Sequence, residues 1–166
     1  PVKIFDANLN TDSLGNLRGI SMVYKGNTPC VVFETIKQTT SGTFFPASPS
    51  KIRFWSPAVN SGNSLIIADE NNVPFAPARG TVDVEGPICR PSIGASADGN
   101  FLFCSMMVQN SATGGFDTTS YNDIYLARSS TSGATWTTPE RITPTAPRND
   151  WAYASISPYN DISGSN

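Results

Sequence analysis

The residues of this chain that could take part in binding or catalysis are few, because the sequence contains no histidine. Histidine triads, histidine-ligated metals and imidazole pH switches are thereby excluded. What remains is a small set of arginines, acids and aromatic side chains near the starts of three strand-like segments. Its members are Arg18, Glu85, Arg90, Asp150, Trp151 and Tyr153.

These residue types favour ligand binding over bond cleavage. A guanidinium group binds a carboxylate through two parallel hydrogen bonds, and the aromatic rings offer a flat surface to a sugar or a peptide. Glycoside hydrolysis also needs two carboxyl groups about 5–10 Å apart, a spacing that a sequence does not give. The alternative is that Arg90 and Asp150 are ordinary polar residues at strand ends. We expect no catalytic residue and no cofactor.

Metal binding is not expected either. Three scattered cysteines without histidine cannot build the usual four-ligand zinc set. The acidic run at 69–72 lacks the spacing of a calcium loop and is predicted to be a solvated turn. Cys30, Cys89 and Cys104 are predicted to be buried, reduced thiols, with one bridge and a spare thiol as the alternative.

Composition narrows the class of protein. Only 14% of the 166 residues are charged and the formal net charge is −2, so the basic surface that nucleic-acid binding requires is missing. The longest strongly apolar run, at 101–108, is far shorter than the roughly 20 residues of a membrane-spanning helix. A surface poor in lysine and rich in Asn, Ser and Thr favours an extracellular or cell-envelope location.

Short strand-like runs separated by turn residues predict an all-β fold, since no stretch has a 3.6-residue apolar period. The predicted strands are residues 20–24, 30–33, 51–55, 64–68, 92–96, 101–108, 123–128 and 136–142, the last interrupted by Pro139. Residues 109–120 are predicted to be a loop rich in Ser, Thr and Gly.

The second half of the sequence repeats the first at a distance of about 70 residues, as Gly26 with Gly99 and Ile52 with Ile124 illustrate. Residues 155–156 match 92–93 and begin a third copy. Repeated four-stranded units are typical of antiparallel β-propeller blades. The predicted division is a connection or the end of a preceding blade at 1–17, blade-like units at 18–80 and 81–149, and the first strand of a third unit at 150–166.

The turn after Arg128 has the most specific sequence in the chain. Its residues follow the Asp-box spacing S-x-D-x-G-x-T-W, with threonine in place of the aspartate: Ser129, Thr131, Gly133, Thr135 and Trp136. A short polar side chain in such a turn binds backbone amides, glycine permits a positive φ, and the tryptophan packs under the turn. On this motif the chain resembles the sialidase-like, or BNR-repeat, β-propellers. The resemblance implies a structural turn at the periphery of a blade.

The same resemblance implies a place for the candidate residues. Sialidases of this family use an arginine triad for the substrate carboxylate, a Tyr–Glu nucleophile pair and an Asp acid/base, and the first arginine opens an inner strand in an R-I-P-like motif. Arg90, and Arg18 in the first unit, fall near that position without the R-x-P sequence. The rim of the central channel would then hold Arg18, Glu85, Arg90, Asp150, Trp151 and Tyr153.

Two blades and one strand cannot close a propeller, so we expect the remaining blades to come from the same polypeptide or from other protein chains. The predicted function is a non-catalytic binding or scaffold segment of a secreted or cell-surface sialidase-like propeller, with carbohydrate as a candidate ligand and no nucleic-acid binding or membrane insertion. One alternative is a fragment of an exo-sialidase-type glycoside hydrolase whose other catalytic residues lie outside this chain. Another is a structural subunit that contributes blades to a larger assembly.

Overall fold

The fold was obtained as a computed structural model, which describes residues 3–5, 14–37, 49–73, 86–113, 120–145 and 149–160. Of residues 14, 16–18, 110–113, 120 and 159–160 it describes the backbone alone. Within these residues the chain is all-β, as the sequence predicted, and a 3-10 turn at Asn60–Gly62 is the one helical element.

The first sheet contains four antiparallel strands in chain order. They are β1 (Leu14–Lys25), β2 (Thr28–Lys37), β3 (Ser50–Trp55) and β4 (Leu65–Ala68). The β1–β2 hairpin closes through Gly26 and Asn27, and Gly26 has a φ of 58°. Glycine adopts this left-handed conformation with little strain, which suits a two-residue hairpin turn.

The second sheet repeats this order. Its antiparallel strands are β5 (Ile88–Ser96), β6 (Leu102–Thr113), β7 (Ser120–Ser129) and β8 (Glu140–Arg141). A short ninth strand, β9 (Tyr159–Asn160), runs parallel to β5 at the other edge of the sheet. Neither sheet closes on itself within the described residues.

Two strand predictions need correction. Residues 136–142 do not form a continuous strand, and only Glu140–Arg141 is a strand paired with β7. The Trp136 ring nitrogen binds the Gly133 carbonyl of the turn, the Thr137 amide makes one bond to the Arg128 carbonyl, and Pro139 has no amide proton. The predicted loop at 109–120 is too long, because β6 continues to Thr113 and β7 starts at Ser120. Residues 114–119 lie outside the described residues.

One hydrophobic core lies between the two sheets. Each sheet turns apolar side chains inward, and the largest fully buried ones include Phe54, Ile52, Ile88, Leu102 and Met106. Burial of a side chain of this size contributes about 1.5–3 kcal/mol, so this shared core is the main force that holds the sheets together.

The outer face of the first sheet is covered in part by the N-terminal segment. Ile4 and Phe5 pack against Val31, Phe33 and Trp55. The rings of Phe5 and Phe33 meet edge to face with centroids 5.6 Å apart. This geometry is favourable for aromatic pairs.

The outer face of the second sheet is covered by the segment that leads to β9. Trp151 and Ala154 pack against Cys89, Met107 and Ile124. Each sheet therefore lies between two other parts of the chain, and the second sheet is sandwiched between the first sheet and residues 149–160.

Two serine hydroxyls join successive parts of the chain in the same way. Ser21 Oγ accepts a hydrogen bond from the Ile93 amide at 3.2 Å, and Ser92 Oγ accepts one from the Ile156 amide at 3.0 Å. We call this pair of contacts the serine seam. It links β1 to β5 and β5 to the segment before β9, so the start of each repeat is bonded to the start of the next.

All three cysteines are buried, and none of them forms a disulfide bond. Among the residues described above, no helix is long and apolar enough to cross a lipid bilayer.

Candidate functional site

The candidate site lies in the middle of β1, near the start of β5 and in the segment before β9, where a positive φ occurs three times at equivalent positions. Gly19, Arg90 and Tyr153 have φ values of 64°, 51° and 59°. Each stands two residues before the serine of its repeat, namely Ser21, Ser92 or Ser155. In β1 and β5 the strand pairing shifts register at this point, which marks a bulge.

Glycine fits this position easily, whereas arginine and tyrosine do not. A left-handed conformation at a non-glycine residue costs roughly 1 kcal/mol or more and persists where the surroundings or the function require the side chain. The first repeat uses Gly19, and a Cβ added there would lie 2.8 Å from Cδ of Pro91. The two later repeats carry Arg90 and Tyr153 despite the strain.

The side chains of these two strained residues lie together. The guanidinium carbon of Arg90 is 5.3 Å from the centroid of the Tyr153 ring, within the range of a cation–π interaction. Tyr153 is 67% exposed and Arg90 is half-buried. The stacked pair therefore places a guanidinium beside an exposed phenol ring, and these are groups of the kind that bind a carboxylate and a hydroxyl.

Asp150 anchors the segment rather than joining the stacked pair. Its Oδ1 accepts hydrogen bonds from the backbone amide and from Nδ2 of Asn122, both at 2.9 Å. The Trp151 amide in turn donates to the Asn122 carbonyl at 2.9 Å. These three bonds fix residues 150–151 against the start of β7.

Trp151 packs into the protein instead of displaying its ring as a platform. It is half-buried against Cys89, Met107 and Ile124. Its Nε1 and the Oδ1 of Asn122 are both buried without a hydrogen-bond partner among the described residues. The remaining two candidates are not placed: Glu85 lies outside the described residues, and of Arg18 only the backbone, in β1, is described.

Sequence reasoning missed the polar group beside this segment. Asp123 is 3% exposed and its Oδ1 accepts hydrogen bonds from Arg141 at 2.8 Å and from Thr143 at 2.9 Å. Burial and the Asp123 charge raise the pKa of Tyr125. The one sequence signal for this group is the acid that directly precedes the apolar run 124–127 of β7.

The turn that carries the Asp-box-like sequence is built from side-chain hydrogen bonds. Ser129 Oγ accepts from the amides of Thr131 and Gly133, and Thr131 Oγ1 accepts from the amide of Thr135 at 2.8 Å. Trp136 Nε1 donates to the Gly133 carbonyl at 3.1 Å. At the position where the motif has a carboxylate, the Thr131 hydroxyl thus accepts a hydrogen bond from a backbone amide.

The first sheet has a related tryptophan–glycine hydrogen bond, although the order of the two residues in its sequence is different. Trp55 Nε1 donates to the Gly62 carbonyl at 2.8 Å, and Asn60, Ser61 and Gly62 all have positive φ. The tryptophan precedes its glycine here and follows it in the second sheet. A search for one fixed motif order therefore recognises only the second turn.

A shallow open groove of about 450 Å³ lies beside the second turn. Its lining residues are Phe101, Arg128, Ser130, Thr135, Trp136 and Thr137. The groove is on the opposite end of β7 from Asn122, since Arg128 and Ser129 end that strand. It offers a second place at which a ligand could contact the protein.

Comparison with known proteins adds no relative. No protein-family model matches the chain, and no curated protein or solved structure matches it either. Within the described ranges, no group of three or more Cys, Asp or Glu side chains is arranged to hold a metal ion.

Proposed function

We propose that this chain is a non-catalytic scaffold and binding segment of a sialidase-like β-propeller, consisting of two blade-like units and the first strand of a third. The division into repeated units is supported by the two sheets, which have the same strand order and are joined by the serine seam. The proposed relation to sialidase-like propellers is supported by the Asp-box-like turn. On this proposal the remaining blades come from the same polypeptide or from other chains.

We further propose that the stacked pair of Arg90 and Tyr153 binds an anionic sugar. The observation that carries this is the strain: the chain holds both residues at positive φ, at a position where its first repeat has glycine. A conformation that opposes folding and yet stacks a guanidinium on an exposed phenol ring is typical of a site selected for binding.

A titration followed by amide chemical shifts tests the binding proposal. A sialic acid is the probe, and galactose, which has no carboxylate, is the matched neutral sugar. We expect weak binding, with a dissociation constant of about 1 mM, and shift changes centred on residues 90–92 and 151–155 for the acid alone. Shift changes confined to the groove beside Trp136, or none at all, would overturn it.

Arg90→Gly separates binding from folding. Glycine relieves the strain of the positive φ, so the free energy of unfolding of the variant should be unchanged or higher by up to about 1 kcal/mol. The sugar-dependent shift changes should disappear. Hydrolysis of a fluorogenic sialoside by the wild-type chain, lost in this variant, would instead favour the hydrolase alternative. An extracellular or envelope location is part of the same proposal, and fractionation of the producing cell tests it.

A further inference from the structure

The groove beside Trp136 is a separate place from the stacked pair of Arg90 and Tyr153, because the two have no residue in common. Its volume of about 450 Å³ lies within the range of roughly 300–1,000 Å³ that is usual for small-molecule sites. Its lining combines two aromatic rings with a guanidinium group and three hydroxyl side chains. One ligand can therefore make both apolar and polar contacts in it.

The aromatic residues of the groove are held in place by the rest of the protein. Trp136 Nε1 donates to the Gly133 carbonyl at 3.1 Å, and the Trp136 ring contacts Phe54 of the first sheet. The Phe101 amide donates to Ser96 Oγ, and the Phe101 carbonyl accepts from the Ser96 amide, both at 2.9 Å. Trp136 and Phe101 are nevertheless only half-buried. Side chains that are fixed before binding lose little freedom when a ligand arrives.

The polar side chains of the groove have donors and acceptors to offer to a ligand. Arg128 and Ser130 are exposed, and neither side chain has a hydrogen bond or an ion pair with any other described residue. Thr137 Oγ1 accepts the Arg128 amide at 3.1 Å and keeps its own proton for donation. A guanidinium only donates, whereas hydroxyls donate and accept, so this set matches a ligand that carries several hydroxyl groups.

The same geometry disfavours other classes of ligand. The Thr137 amide already donates to the Arg128 carbonyl at 2.9 Å, so these backbone groups cannot pair with an added peptide strand. Among the described lining residues, Arg128 is the one charged group, and a single cation is too little for a nucleic acid or a polyphosphate. A small, neutral, hydroxylated ligand fits the groove best.

We propose that the groove beside Trp136 binds a neutral pyranose sugar. The carbon skeleton of such a ring has an apolar face, which lies against the rings of Trp136 and Phe101, since amphipathic aromatic residues favour contacts of this kind. The sugar hydroxyls bind Arg128, Ser130 and Thr137. This site goes beyond the anionic-sugar site proposed above and does not depend on it.

A titration followed by amide and indole chemical shifts tests the proposal. Galactose, glucose and mannose are the probes, and sorbitol, an open-chain polyol with the same number of carbon atoms, is the matched control. We expect at least one sugar to shift the Trp136 indole and the amides of Ser130 and Thr137, with a dissociation constant of about 1–10 mM. Sorbitol should leave them unchanged. Equal shift changes with sorbitol, or none with any of the three sugars, overturn the proposal.

Surface variants locate the bound sugar without changing the core. Arg128→Ala and Ser130→Ala each remove an exposed polar side chain and should raise the dissociation constant about threefold or more. Thr138→Ala, at an exposed position next to the groove but not in its lining, should bind like the wild type. Wild-type affinity in both groove variants, or an equal loss in Thr138→Ala, overturns the proposal. The anionic-sugar site is read at residues 90–92 and 151–155, so its own result stands apart from this one.

Discussion

Gly133 lies directly against the ring of Phe54, so that a Cβ added to this glycine would be 2.2 Å from Cε1 of the phenylalanine. The two residues belong to different sheets. The tilted contact of Phe54 with Trp136, with centroids 5.3 Å apart, completes the junction. The turn of the second sheet is therefore part of the core between the sheets.

Gly133→Ala should be strongly destabilising. The new methyl group overlaps a buried ring and the residue has a φ of 91°, so we expect a loss of about 3 kcal/mol in the free energy of unfolding, measured with urea. Gly62→Ala is the matched control. Its φ is 78° but a Cβ there has open space, so strain alone should cost about 1 kcal/mol. Equal losses in the two variants would show that Phe54 moves aside freely.

Removal of either seam hydroxyl should have a local effect. Ser21→Ala and Ser92→Ala should each cost about 1 kcal/mol and speed hydrogen exchange at the amides of Ile93 and Ile156, respectively. Ser105→Ala is the control, because Ser105 Oγ is buried without a partner among the described residues and its removal should cost little. If each serine variant affects both amides alike, the loss is global and the seam is not a local contact.

Asp150→Ala should loosen the segment that carries Tyr153. The buried Asn122 amide loses its acceptor, and we expect a cost of about 1–2 kcal/mol together with greater exposure of Trp151. Red-shifted tryptophan fluorescence below the unfolding transition reports that exposure. Asn149→Ala, at the neighbouring exposed position, should leave the emission unchanged. An unchanged spectrum in Asp150→Ala would mean that packing alone holds Trp151.

Alkaline pH should destabilise the fold through Cys104. Burial raises the pKa of this thiol above its ordinary value of 9.0, so above that pH the unfolded chain releases a proton that the folded chain retains. This group therefore leaves the free energy of unfolding unchanged below about pH 9 and lowers it as pH rises further, by up to about 1.4 kcal/mol per pH unit. Urea unfolding at several pH values checks the slope, and Cys104→Ala should reduce it. A slope unaffected by that change would point to Tyr125 as the main source.

Local features of the fold could be predicted from the sequence because they depend on neighbouring residues. Alternation and turn residues located most strands, and the Ser129–Trp136 spacing predicted a turn whose side chains bind its own amides. The length of β6 could not be predicted, since its polar end at 109–113 is paired across the sheet with β7. The polar composition of this segment predicted a loop, but its backbone pairing with β7 makes it part of a strand.

The candidate site was harder to predict, because its residues act through distant partners. The sequence suggested that Asp150 and Trp151 bind a ligand together. In the structure the Asp150 carboxylate instead accepts hydrogen bonds from Asn122 in β7, and the Trp151 ring packs against Cys89 and its apolar neighbours. Arg90 and Tyr153 belong together through a stack that no local pattern reveals. Positive φ at a non-glycine residue is likewise invisible in the sequence.

The strand order has a consequence for how the molecule folds. Every antiparallel pair joins strands that are neighbours in the chain, so each sheet can assemble from hairpins, whereas the seam joins residues 72 and 64 positions apart. Contacts of short loop length generally form before those of long loop length. We expect the slow step of folding to be the docking of two largely formed sheets, with the seam hydrogen bonds closing after the sheets have met. Ser21→Ala should then accelerate unfolding and leave the refolding rate nearly unchanged.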